Sequence, residues 1–242
     1  GALHQDNRQV TIFSDLQPET KEVQVINTYQ HDKTSYTQGL EFYKGRLYEG
    51  TGQKEQSVLA EVDFNTGTKL REVSLAPALF GEGITILNDT IYQLTYMAGK
   101  CLVYDMEFNQ INEFSYQGQG WGLTNNGTHL LMSNGSSQIV WRDPRTFEVV
   151  KKIDVFDNQA NVTQLNELEV INGVLYANIY TDSRICAIDT ATGKVLSYIN
   201  CATLVNQQQA GADVLNGIAY NEETDKIYLT GKWWQGFYEV SF

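Results

Sequence analysis

Three prolines, three cysteines and three histidines are spread through 242 residues, and basic residues are scarce: 17 Lys and Arg stand against 29 Asp and Glu. Each shortage removes a class of protein. With so little proline and no Ser/Pro-rich or single-sign run, no linker is visible. At 42% hydrophobic content the chain reads as one domain, residues 23–242, after a lead-in over 1–22. A net charge of −12 argues against a phosphate-binding surface, hence against nucleic acid, and favours cationic small partners. No apolar run approaches the ~18 residues of a membrane span. Cys101, Cys186 and Cys201 show no C-x-x-C spacing and read as buried filler. His4, His31 and His129 lack ligand spacing, so no histidine-built zinc site is expected. The opening GALHQDN reads as a trimmed start without a leader. Sequons at Asn88, Asn126, Asn134 and Asn161 matter only in a host that glycosylates. Helical periodicity is nearly absent; only residues 200–213 suit a short helix.

What is present is a repeat. QGLEFYKGRLYEGTG, EGITILNDTIYQLTY, WGLTNNGTHLLMSNG, NELEVINGVLYANIY and NGIAYNEETDKIYLTGK begin at positions 38, 82, 121, 166 and 216, at intervals of 39–50 residues. Each is an alternating strand, a turn of Gly, Asn or Asp, and a second strand rich in Leu, Ile and Tyr, which is a β-hairpin signature. The stretches between them add two more strands around an Asp-containing turn. A period of ~40–50 residues with about four strands per unit is that of a propeller blade. The expected fold is therefore all-β, a five-bladed β-propeller. Its fifth unit ends one strand short, and VQVINTY at 23–29 is expected to supply that strand and close the ring.

In such a ring the residue opening each innermost strand faces the axis. Here those residues are Gln38, Glu82, Trp121, Asn166 and Asn216, five unlike groups where packing alone would favour similar ones. A second ring follows along the next strands: Gly52, Tyr96, Gly135, Tyr180 and Lys232, with the glycines expected to open space and the tyrosines and lysine to line it. In LFGEGIT a lone acid stands between two glycines, which would let neighbouring backbone approach it. Blander readings accompany each residue. Asn166 could satisfy backbone groups, Trp121 could pack between blades, and Lys232 could lie along surface aromatics. Tyr48, Tyr92, Tyr176 and Tyr228 recur in register and read as core between blades. Asn216 has no evident role. Glu167 and Glu169 could bond backbone near the channel, where a structural divalent cation such as calcium is conceivable but not demanded.

From about Tyr36 to the C terminus the chain carries YTQGLEF, the Thr51–Gly52 pair, FGEGIT, IYQLTY, GWGLTNNG, LLMSNGS, LNELEVINGVLYANIY, LNGIAY and LTGKWW. In this order they resemble the plant- and bacterial-type glutamine cyclotransferases. The resemblance implies a five-bladed propeller, unrelated to the zinc-dependent animal enzymes of the same activity. It also implies cyclisation of N-terminal glutamine in peptides to pyroglutamate, with release of ammonia and no required cofactor. By motif position Glu82 falls at the acid/base residue, and Gln38, Trp121, Asn166 and Lys232 at residues lining the substrate cavity. Tyr96 and Tyr180 stand where the family usually has tryptophan, and Gln119 where an acid is common; both departures bear on substrate preference and rate. The implied partners are peptides or proteins with N-terminal glutamine, met by a monomer on an export route.

The reaction sets its own requirements. The α-amine must be unprotonated to attack the γ-carbonyl carbon, and the departing nitrogen must gain a proton. One carboxylate with its pKa raised by burial can serve both steps. Lys232, the Asn166 amide and the Trp121 indole N–H are candidate oxyanion donors; Gln38 would orient the substrate, and Trp121, Tyr96 and Tyr180 would wall it. Two other functions fit the same fold. A peptide-binding module with a degenerate pocket would release no ammonia. A calcium-dependent lactonase-type hydrolase needs several carboxylates converging on one metal, whereas the inner ring is expected to offer only Glu82. A scaffold has no use for a ring of unlike polar groups.

Overall fold

Apolar and polar residues alternating at period two, interrupted by turn residues, commit nearly the whole chain to short antiparallel strands. The computed structural model of the chain describes residues 13–242. They form five sheets arranged as the blades of a β-propeller. The innermost strands of blades 1 to 5 are Thr37–Tyr43, Gly81–Leu87, Leu123–Asn125, Leu165–Ile171 and Leu215–Asn221. Each packs against the innermost strands of both neighbours. Blade 5 takes its outermost strand, Gln24–Gln30, from the N-terminal side, antiparallel to Gly236–Ser241. The ring is thus closed by the strand expected at 23–29. The expected lead-in, 1–22, begins in residues 1–12, which with His4 lie outside the described residues. Within its remainder Glu19–Glu22 runs parallel to Val195–Asn200 as a fifth strand on the outer edge of blade 4. A short helix, Ala202–Asn206, leads from blade 4 towards blade 5.

Apolar side chains gather in five clusters, one at each junction between blades. Ile84 and Ile91 meet Tyr48 and Leu59 between blades 1 and 2. Leu94 and Tyr92 meet Leu123 and Leu130 between blades 2 and 3. Each fully buried Leu or Ile contributes ~1.5–3 kcal/mol, so every blade is held by both its neighbours and none is stable alone. The recurring tyrosines belong to these junctions; Tyr48, Tyr92 and Tyr228 are buried, and Tyr176 packs between blades 4 and 5. Cys101, Cys186 and Cys201 are buried and unpaired.

The inner edges of the blades have no further strand to satisfy their amides, and in blades 1, 2 and 5 acids do so instead. Both carboxylate oxygens of Glu41 in blade 1 lie 3.1 Å from the Ile86 nitrogen of blade 2 and accept its N–H. Glu167 in blade 4 accepts the N–H of Ile218 in blade 5 at 2.8 Å and of Leu40 in blade 1 at 3.4 Å. Glu169 accepts from Tyr220 N–H at 2.9 Å and the Thr124 hydroxyl at 3.4 Å. The expectation that the inner ring offers only Glu82 is therefore corrected: Glu41, Glu167 and Glu169 are also buried there. Glu167 and Glu169 bond backbone there as the sequence allows; Glu41 is hidden by period-two alternation, because a Glu inside a strand reads as solvent-facing. Burial raises Glu41 to about 8 and holds Glu167 and Glu169 well above the usual carboxylate range. Among the described residues no group of three or more His, Cys, Asp or Glu has metal-holding geometry.

Candidate active site

Four of the five innermost strands carry a β-bulge near their start. The register slips between Thr37 and Gly39, Gly81 and Ile84, Leu165 and Leu168, and Leu215 and Ile218. A bulge takes a residue out of the ladder and re-aims its side chain. The residues set free are Gln38, Glu82, Asn166 and Asn216, each with its successor in blades 2, 4 and 5. The bulges demand close backbone approach, and this accounts for the glycines around Glu82. A Cβ on Gly81 would lie 2.6 Å from the Thr51 carbonyl oxygen, and one on Gly83 would lie 2.4 Å from the Leu123 nitrogen. Any side chain there would push blades 1 and 3 away from blade 2.

Gln38, Glu82 and Asn166 line a cavity of about 740 Å³; Asn216, expected to face it, is fully buried and is not among its lining residues. All seven residues singled out from the sequence reach it: Glu82, Gln38, Tyr96, Trp121, Asn166, Tyr180 and Lys232. Its wall is a closed circuit of rings. Tyr36 meets Phe80 at 6.1 Å between centroids, Phe80 meets Tyr96 at 5.9 Å, Tyr96 meets Trp121 at 6.4 Å and Trp121 meets Tyr180 at 5.6 Å. Lys232 closes it, its Nζ 5.1 Å from the Tyr180 centroid and 4.7 Å from that of Tyr36. A cation between two ring faces is held by their quadrupoles without a direct ion pair.

Glu82 is 4% exposed, and no protein group among the described residues donates a hydrogen bond to its carboxylate. Burial holds its pKa well above the ordinary value, and the charge of Lys232 opposes that shift. Burial lowers the Lys232 pKa, while Glu82 and then Asp213 support its charge. No ion pair within 4 Å forms between Glu82 and Lys232, so neither quenches the other. Asn166 is 2% exposed and its Oδ1 has no partner. An orphaned buried acceptor on a cavity wall is a place for a ligand N–H. Together these groups can move a proton, hold a cation near a developing oxyanion, and accept from a bound amine or amide.

Comparison with known proteins follows this geometry. The family model for glutamine cyclotransferase matches residues 2–242. The chain belongs to the glutamine cyclotransferase family. It is 32% identical over 234 residues to the glutaminyl-peptide cyclotransferase of Arabidopsis thaliana, a match covering 93% of this chain and 73% of that one. Among solved structures it resembles the glutaminyl cyclase of Myxococcus xanthus with a TM-score of 0.87 at 32% identity, over 93% of this chain and 98% of that one. The WD40 propeller domain of Doa1 matches with a TM-score of 0.51 at 11% identity, over 84% of this chain and 62% of that one, which shows the fold alone.

In this member of the glutamine cyclotransferase family, several assignments from the sequence need revision. The Trp121 indole N–H already donates to Gln119 Oε1 at 3.0 Å, so it is not a free oxyanion donor. Gly52 and Gly135 do not open space. A Cβ on Gly52 would lie 2.5 Å from Phe80 Cε1, and one on Gly135 would lie 2.7 Å from Trp121 Cζ2, so the glycines make room for the rings. Asn216 gains a role: its Nδ2 donates to the Thr37 carbonyl at 3.0 Å and to Gln38 Oε1 at 3.2 Å. With that oxygen occupied, Gln38 has its Nε2 donors left for a ligand. Two wall residues, Tyr36 and Phe80, escaped the sequence reading. Each lies just before the first residue of an innermost strand, Thr37 or Gly81, in the loop that enters it, where alternation gives no signal.

Proposed function

We propose that the chain converts the N-terminal glutamine of peptides to pyroglutamate with release of ammonia, using Glu82 as the proton shuttle. The observation that carries this reading is Glu82, the one acid lining an aromatic cavity, buried, without a hydrogen-bond partner among the described residues and facing the buried Lys232. The α-amine of a peptide has an ordinary pKa of ~7.7–8.0, so substrate arrives largely as the ammonium. Glu82, its basicity raised by burial, takes one proton and leaves a neutral amine. The amine lone pair forms the new C–N bond at the γ-carbonyl carbon, and the carbonyl π electrons move to oxygen. Lys232 faces that oxyanion, and a donor in such a position is worth roughly 10²–10³ in rate. Glu82 returns its proton to the departing nitrogen, the C–N bond to it breaks, and the carbonyl reforms. The ring nitrogen then gives its surplus proton to Glu82, which passes it to ammonia.

Ring closure is intramolecular, so the cavity mainly holds the side chain folded back on its own amine. Asn166 Oδ1 accepts from the substrate nitrogen, Gln38 donates to its carbonyl, and Trp121, Tyr96 and Tyr180 provide rigid apolar walls. No step in this scheme calls on a metal, and activity in a chelator is the expected result. Substrates of this kind arise when processing exposes an N-terminal glutamine, which suits an exported enzyme. Ammonia release from a glutaminyl peptide is the test. The Glu82→Gln variant is expected to fold and to lose at least ~10²-fold in kcat; full activity in that variant would refute the shuttle.

A further inference from the structure

A second cavity, of about 380 Å³, is lined by residues of blades 2 and 3 and by Gln119, the partner of the Trp121 indole. Arg142 lines it and is only 8% exposed. Its Nη1 donates to the Phe147 carbonyl at 2.8 Å, and its Nε lies 3.2 Å from Met132 Sδ. The guanidinium sits 4.6 Å from the Phe147 ring centroid and 5.4 Å from that of Tyr116. These contacts fix its plane but supply no negative charge. Among the described residues no carboxylate comes within ion-pair distance of Arg142, and no protein acceptor meets its Nη2. That is unexpected in a chain with 29 Asp and Glu, because a cation taken out of water without a counter-ion is costly. Burial indeed works against its charged form.

The rest of the cavity suits a small anion. Gln117, Gln119 and Gln138 contribute amide side chains, Lys152 adds a second cation, and Glu148 is the one acid among the lining residues. Gln119 connects the cavity to the active site. Its Oε1 accepts the Trp121 indole N–H, so its Nε2 donors are left for the cavity. We propose that this cavity is a binding site for a small oxyanion, a carboxylate or an inorganic phosphate or sulfate. The anion takes the free Nη2 donors of Arg142 and the Gln119 amide. It thereby fixes the orientation of Gln119 and the indole that Gln119 holds. Arginine offers such oxygens a pre-organised fork of donors. Binding itself is independent of the proposed cyclisation; only the effect on Trp121 rests on that reading.

Thermal unfolding with acetate, phosphate or sulfate, each against sodium chloride at matched ionic strength and pH, tests the site. At about ten times Kd, a ligand selective for the folded state is expected to raise Tm by about 3–5 °C in a chain of this size. Whether acetate or the tetrahedral anions give the larger rise identifies the preferred geometry. Arg142→Met is expected to abolish the rise. Should that variant not fold, two others carry the test. Lys152→Gln should weaken binding several-fold, and Gln119→Glu should supply a carboxylate from the chain itself and remove the response. The inference is overturned if no anion exceeds chloride, or if the rise persists undiminished in both Lys152→Gln and Gln119→Glu. On glutaminyl peptide, occupancy is expected to lower KM without changing the acid limb of the pH profile. A protein that keeps the thermal response but releases no ammonia retains this site and loses the proposed function.

Discussion

Replacing Lys232 by methionine should do two separable things to the proposed reaction, and their separation tests the electrostatics of the cavity. Methionine keeps the apolar stem between Tyr36 and Tyr180 and removes only the charge. Lys232 acts on Glu82 in the direction that lowers its pKa, against the larger effect of burial. The size of that opposition can be bounded. Two unit charges 4 Å apart interact by about 4 kcal/mol at an effective dielectric of ~20. No ion pair within 4 Å joins Glu82 and Lys232 among the described residues, so the figure for this pair is smaller than that. Removing the charge leaves burial unopposed, so the Glu82 pKa should rise further.

The assay is the pH dependence of kcat/KM for ammonia release, whose acid limb reports the proton-accepting group of the free enzyme. Lys232→Met should move that limb to higher pH and lower the plateau by about 10²–10³ through the lost oxyanion donor. Lys232→Arg should hold the limb and recover part of the plateau. Near-ultraviolet circular dichroism checks that the aromatic circuit is intact in both. A limb that stays in place while the plateau falls would refute the reasoning, because the group read by the limb would then not feel the lysine. A plateau that stays in place would remove Lys232 from the chemistry.

Three further outcomes follow from other contacts. Asn216→Ala frees Gln38 Oε1 and leaves the buried Thr37 carbonyl short of a donor, which should cost about 1–3 kcal/mol of stability and raise KM more than it lowers kcat; urea unfolding and steady-state kinetics measure the two. Gly83→Ala places a methyl group 2.4 Å from the Leu123 nitrogen, and the forced separation of blades 2 and 3 should destabilise by about 1–3 kcal/mol or more, read as a drop in the urea midpoint. Burial raises Glu41 from 4.5 to about 8, so between those values the folded chain keeps a proton that the unfolded chain has released. Its contribution to stability is complete below pH 4.5 and is lost as pH rises through about 8. Glu41→Gln should flatten the decline in urea midpoint over that window, whereas an unchanged slope would place the titration elsewhere.

The architecture was open to reading because it is written in periodic signals. Alternation set the strands, the Gly, Asn and Asp turns set the hairpins, and the 39–50 residue interval set five blades. The missing outer strand of blade 5 was found by counting. What alternation could not show is where the ladder breaks. The bulges at Gln38, Glu82, Asn166 and Asn216 keep the sequence pattern of ordinary strands, yet they decide which side chains reach the cavity. The same blindness hid Glu41, which accepts the Ile86 N–H of the adjacent blade, whereas Glu167 and Glu169 bond backbone as their place in NELE suggested.

The lone acid of LFGEGIT and its glycines express one requirement. Inner strands from three blades must meet within backbone contact for a bulge at Glu82 to point into a closed hollow. Only residues without side chains can stand at the meeting points with Thr51 and Leu123. Blade 4 solves the same problem differently. It places Glu167 where blades 1, 2, 3 and 5 place glycine after the site residue, and that side chain ties its strand to Leu40 and Ile218 by hydrogen bonds. Four blades approach by leaving space and one by reaching across it. The five unlike side chains of the inner ring are thus carried on backbone that blades 1, 2 and 5 arrange with a bulge and a glycine, blade 3 with a glycine alone and blade 4 with a bulge and a bridging acid.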